Sequence, residues 1–182
     1  LGLSRPHMPF KGIIMAVLIS PMIVPLIITA AGMFFFYARI NLVYTFTGII
    51  LAHVALATPF VVITVTATLV GFDMNMVKAA QSLGARPTRT FFKVIMPLIL
   101  PGIISGALFA FITSFDEVVI VMFMGSLDQL TIPKQMWAGI RQEISPVILC
   151  MATCLVVLSI FLLTTVELLR RRSEKLRGIS KR

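Results

Sequence analysis

The sequence is poor in charge and poorer still in acid. Only 13% of its 182 residues are charged, and just seven are Asp or Glu. A soluble domain carries roughly a quarter charged residues, so the composition excludes an ordinary water-solvated globule and indicates a membrane protein. Cysteine is scarce as well. Cys150 and Cys154 lie four apart, on one face of a helix, with no His or acid in the same apolar run. They read as small apolar filler, and no metal site is expected. No G-x-x-x-x-G-K-[ST] loop occurs, so the chain lacks the usual cradle for ATP phosphates. No clear internal repeat or low-complexity segment appears, and residues 1–182 read as a single membrane domain.

What is present is apolar sequence in long runs. Residues 12–38, 40–72, 94–115 and 144–166 contain no Asp, Glu, Lys or Arg. Each exceeds the ~20 residues that cross a bilayer as a helix, and helices satisfy their own backbone groups in lipid. The reading is all-α and polytopic, with spans at about 12–37, 43–70, 99–124 and 146–169. Pro21 and Pro25 should kink the first span, and Pro59 the second. His53, in the second, reads as a packing residue. Thirteen of the sixteen basic residues fall at the termini and in the 71–97 loop, with Arg39, Lys134 and Arg141 on the other side. This bias places both ends and that loop in the cytoplasm. The basic tail suits lipid headgroups, not nucleic acid. The opening LGLSRPHMPFKG lacks the apolar stretch of a signal peptide. It reads as a helix end and a short turn, with further sequence expected upstream.

Two polar segments invite structure. In the outer loop 125–145, Pro133 can start a short helix whose Met136, Trp137, Ile140 and Ile144 form one apolar side. In the 71–97 loop, Asp73 suits a helix N-cap and Gly84 a residue just past a helix end. Between them Met76, Ala80 and Leu83 share a face, and Asn75, Lys78 and Ser82 another. A helix this short is marginal in water and needs a surface to dock on. Pro87 can open a second helix, and Pro97 and Pro101 mark the start of the third span.

These residues resemble a signature of ABC-importer permeases: Glu-Ala-Ala, three residues, Gly, nine residues, Ile-x-Leu-Pro. Here the sequence is Lys78-Ala79-Ala80, then Gly84, then Val94-Ile95-Met96-Pro97. The spacing agrees throughout, and Lys78 reverses the charge of the family's Glu. The flanking ATPFVVITVTATLVGFDM, LILPGIISGALFAFITSFDEVVIVMF and TIPKQMWAGIRQEISP look like the permeases of spermidine/putrescine importers. The resemblance covers essentially the whole chain. It implies a type I importer permease fold of six helices, of which this chain would carry the last four. It also implies a second permease subunit, a cytoplasmic ATPase dimer that binds ATP–Mg, and an extracytoplasmic solute-binding protein, all at the cell inner membrane. The 71–97 element would couple the ATPase to the spans. Ala79, Ala80 and Gly84 would form its docking core, Asp73 and Lys78 its rim, and Pro97 the motif's end.

Asp116 and Glu117 fall within the third expected span. An ionised acid at mid-membrane costs roughly 3 kcal/mol or more, and such residues usually face a wet path or a bundle interior. Gly102, Ser105, Gly106, Thr113 and Asp116 form a small, polar stripe along the same segment. Adjacent side chains diverge by ~100° around a helix, so one acid should line a path and the other meet a partner helix or the backbone. Thr113, Ser114, Asp116 and Glu117 are the candidate path residues, and acids without nearby Lys or Arg suit an amine-bearing solute such as a polyamine. The alternatives are a permease for another small solute (opine, amino acid or phosphonate), a secondary transporter, a purely structural membrane subunit, and an intramembrane hydrolase using His53 and Ser114.

Overall fold

The computed structural model describes residues 2–4, 8–142 and 145–176. Among them the regular structure is entirely helical: α1 (Lys11–Ile23), α2 (Leu26–Arg39), α3 (Phe46–Val70), α4 (Asn75–Ser82), α5 (Pro87–Thr90), a π-helical turn (Phe91–Ile95), α6 (Met96–Phe115), α7 (Val119–Met124), α8 (Ile132–Gln142) and α9 (Pro146–Leu176). Three stretches are long and apolar enough to cross a membrane: Phe46–Val70, Pro87–Phe115 and Pro146–Thr165. A fourth crossing results only if α1 and α2 count as one bent span.

The first expected span bends far more sharply than the kink its prolines predict. Its two halves diverge by 109°. Pro25 lacks an N–H, and Val24 before it takes an extended backbone (ψ 135°), as residues preceding proline do. Neither half reaches the ~30 Å of hydrocarbon alone, at about 1.5 Å per residue.

The expected 99–124 span is corrected. It starts earlier, runs on from Pro87, and ends at Phe115, with α7 as a separate short helix. Within it the π turn at Phe91–Ile95 has a cause in the sequence. In a regular α-helix the Pro97 ring would collide with the carbonyl of Lys93, and widening the preceding turn relieves this. The last helix continues past residue 169, to Leu176.

The centre of the fold is the antiparallel pair α3–α6. Gly102 lies against Thr64 and Thr68, Gly106 against Val61 and Thr64, and Phe60 stacks on Phe109 with ring centroids 6.2 Å apart. The two glycines are buried four residues apart, so α6 presents bare backbone to the Thr64 and Thr68 side chains and to the Val61 backbone. The threonine hydroxyls bond back within α3, Thr64 to the Phe60 carbonyl (2.8 Å) and Thr68 to that of Thr64 (2.9 Å), so no polar group is stranded at the seam.

Apolar clusters close the two ends of this pair. At one end Ala30, Ala52, Leu56, Ile120 and Met124 join α2, α3 and α7. At the other, Leu69, Ile95 and Ile99 gather Phe72, Phe91 and Val77 of α4. On the side of the first cluster, Tyr44 N–H donates to the Met124 carbonyl (2.9 Å), and buried Gln129 accepts from Ser126 N–H (3.0 Å) while donating to the Tyr44 carbonyl (3.2 Å). Helix α8 forms where Pro133 predicts it. Trp137 and Ile140 are exposed, Arg141 sits 5.5 Å over the Trp137 ring, and Ile144 lies outside the described residues. Cys150 and Cys154 are free and exposed on α9.

Gly106→Val is expected to drive methyl groups into Val61 and Thr64 and to destabilise the fold by about 1–3 kcal/mol. Gly32→Ala, where a methyl meets open space, should not. Thermal unfolding of the two variants in detergent distinguishes them.

Candidate functional site

The third apolar stretch breaks at residues 116–118, and the break sorts the two acids. Asp116 ends α6, is exposed, and borders a groove of about 320 Å³ with Leu155, Ser159 and Leu163 of α9. Glu117 is 5% exposed. Its carboxylate receives the Ile120 N–H on both oxygens, at 3.0 and 2.8 Å. That amide belongs to the first turn of α7 and has no partner within the helix, so the acid stabilises the restart of the chain after the break.

α3 brings His53 to the same point. Its Nδ1 lies 2.8 Å from Ser114 Oγ, and its Nε2 is buried, without a hydrogen-bond partner, 4.0 Å from Glu117 Oε2. Among the described residues this imidazole is the only ion-pairing group near Glu117. Two clefts meet at Ser114. One, of about 410 Å³, includes His53, Ile49 and Ala57; the other, of about 290 Å³, includes Glu117, Phe111, Phe115 and Leu155. Thr131, from the segment before α8, lines both.

The structure therefore brings Ser114 and Glu117 to one cleft, with Asp116 on an adjoining groove that shares Phe111, Phe115, Pro133 and Leu155 with it. The Thr113 hydroxyl bonds back to the Phe109 carbonyl (2.9 Å). His53, read from sequence as packing, belongs to the cluster. The available signal was that an ionisable residue in a spanning helix is a functional candidate by default. Thr131 carried no signal, because only the fold brings it to Ser114. The cluster has the residue types of a hydrolytic triad but not its arrangement. The carboxylate is 4.0 Å from the ring and engaged with the Ile120 amide of α7, so it does not hold the imidazole as a triad acid does.

The second candidate surface is α4. Asp73 Oδ1 accepts the Asn75 N–H (2.9 Å), placing the acid just ahead of the helix. At the other end Gly84 takes φ +81°, with Ala85 N–H on the Ala80 carbonyl (3.0 Å) and Gly84 N–H on that of Gln81 (2.9 Å). This is a Schellman stop. Nothing of this chain lies within 4 Å of a methyl added to Gly84, and its positive φ gives it a conformational role in ending the helix. The expected face is also rotated. Val77 packs inward and Ala80 is half-buried, leaving Met76, Ala79 and Leu83 exposed, Leu83 by 89%. Lys78 is exposed beside them, and Pro97 is exposed near the start of α6.

An all-helical chain with several apolar spans, a buried acid at a helix break and an outward-facing short helix has the architecture of a multi-pass membrane subunit. Residues 2–175 match the family described as binding-protein-dependent transport system inner membrane component, and the chain belongs to that family. It is similar to the spermidine/putrescine transport system permease protein PotC of Haemophilus influenzae, 30% identical over 173 residues, which cover 95% of this chain and 67% of that protein. PotC of Escherichia coli K12 is 29% identical over 175 residues, 96% of this chain and 66% of that protein. The putrescine transport system permease protein PotI of the same organism is 37% identical over 103 residues, 57% of this chain and 37% of that protein. The chain thus spans about two thirds of the length of the PotC proteins.

Glu117→Leu is expected to strand the Ile120 amide and destabilise the fold by about 1–3 kcal/mol. Glu117→Gln keeps a carbonyl acceptor and should cost less, and Asp116→Asn should be near neutral. Melting temperatures of the three purified variants give the order.

Proposed function

We propose that this multi-pass inner-membrane permease subunit serves an ATP-driven importer of polyamines, and that Ser114 and Glu117 line the solute's route. The observation that carries the solute class is Glu117: a buried carboxylate with no Lys or Arg beside it among the described residues. A buried negative charge is costly unless it meets a cation, and a primary or secondary ammonium of a polyamine supplies one. The names of the PotC and PotI relatives agree with this class of solute. Asp116, on the α9 side of the break, would attract the cation without holding it, and Thr113 would serve the helix.

Force would enter through α4. Its exposed Met76, Ala79 and Leu83 form an apolar ridge with Lys78 alongside, suited to the cleft of a cytoplasmic ATPase dimer that holds ATP–Mg. Val77 would pass the movement to the Leu69–Ile95–Ile99 cluster and so to α3 and α6. Asp73 and Gly84 fix the lever's two ends, and Pro97 sets the turn where it joins α6. The remaining partners are a second permease subunit and an extracytoplasmic solute-binding protein. Both termini and the α4 region lie on the cytoplasmic side in this reading, following the basic-residue bias.

The test is the complete transporter in proteoliposomes. Putrescine or spermidine, delivered with the binding protein, should stimulate ATP hydrolysis and accumulate inside. Leu83→Glu should abolish that stimulation by placing a charge on the apolar ridge. Glu117→Gln should cut uptake by about tenfold or more, the loss of one charged hydrogen bond of roughly 1.5–3 kcal/mol, while the subunits still copurify. No response of the wild-type complex to either polyamine would remove the solute assignment.

A further inference from the structure

We propose that His53 is a positioning residue for transport: it clamps α3 to the α6–α7 break through Ser114 and competes with the solute for Glu117. The second half rests on the polyamine reading above; the first does not.

The clamp follows from geometry. A serine inside a helix commonly returns its hydroxyl to the carbonyl four residues back. Ser114 instead lies 2.8 Å from His53 Nδ1, on a helix 61 residues away in sequence. It sits one turn or less before the break, where α6 gives up its regular bonding at Asp116. A tie here sets the direction in which the chain leaves α6. Beyond it Ile120 and Met124 of α7 pack on Ala52 and Leu56 of α3, so the tie and the apolar cluster brace the break from two sides.

The competition follows from the remaining ring nitrogen. With Nδ1 accepting the serine proton, the neutral imidazole carries its hydrogen on Nε2. That atom is buried, lacks a hydrogen-bond partner and is 4.0 Å from Glu117 Oε2. The gap is too long for a hydrogen bond, and a movement of about 1 Å closes it to bonding distance. The acid then has two alternatives for its unmet capacity: the ring N–H or an incoming ammonium. Ser114 also lies where the two clefts meet, so release of His53 from Ser114 frees the wall between them.

The experiment compares His53→Ala, His53→Asn, Ser114→Ala and the double variant His53→Ala/Ser114→Ala in the complete transporter. Asn keeps an amide near the Nδ1 position and lacks Nε2. For the clamp, the melting temperatures of the assembled complexes should be non-additive, the double variant falling no further than either single one, and His53→Asn should recover most of the loss. Additive losses overturn the clamp, whatever solute is carried. For the competition, KM for putrescine should fall by about fivefold in His53→Asn, as expected for removal of a competing bond of ~1 kcal/mol. An unchanged or raised KM in His53→Asn overturns the competition. A wild-type complex silent to polyamines overturns the solute reading and the competition together, and leaves the clamp to the melting data.

Discussion

The close approach of α3 and α6 is the constraint on which the other features depend. Gly102 and Gly106 allow backbone to meet Val61, Thr64 and Thr68. Lipid offers little hydrophobic incentive for helices to associate, so van der Waals contact between small residues has to hold the pair. Once the seam is set, the antiparallel register follows, and it carries His53 to the level of Ser114. The buried cluster is a product of that register. Glu117 is tolerable in the interior because the same pairing brings α7 against α3, where the Ile120 amide meets both carboxylate oxygens.

At the opposite end of the seam the apolar cluster around Leu69, Ile95 and Ile99 gives α4 something to rest on. An eight-residue helix would not persist by itself. It is fixed by Val77 from beneath, the Asp73 turn ahead of it and the Gly84 stop behind. The same side chains that hold it leave Leu83 outside. Packing inward and presentation outward are therefore two sides of one helix. The buried acid and the lever lie at opposite ends of α6, connected by a continuous stretch of helix that contains a single widened turn.

The class and fold were legible in the sequence because they depend on composition and spacing. Charge-free runs located the helices, and Asp73, Gly84, Pro87 and Pro133 marked ends that the structure places close by. The errors in the first and third runs share one form. In each a break is underestimated or missed: the prolines of the first run predict only a kink, and no break is expected in the third. Val24 and Pro25 turn the first run through 109°, and the third stops at Phe115 although Val118–Met124 is as apolar as what precedes it. Hydropathy does not register such breaks, since lipid and protein interior are alike to it. The restart after the break is held locally by Glu117 on the Ile120 amide, but the α2–α3–α7 cluster on which α7 then packs joins residues distant in sequence, and no local pattern encodes it. Periodicity gives a stripe, and only docking decides that Val77 turns inward.

The glycine–threonine seam also bears on the entropy of assembly. Glycine has no side-chain rotamers to lose, and a β-branched threonine whose hydroxyl already bonds its own helix has few. Ordering such surfaces against each other therefore forfeits little conformational freedom, far less than interlocking long chains such as Met or Leu would. α3 and α6 are built to associate at small entropic expense.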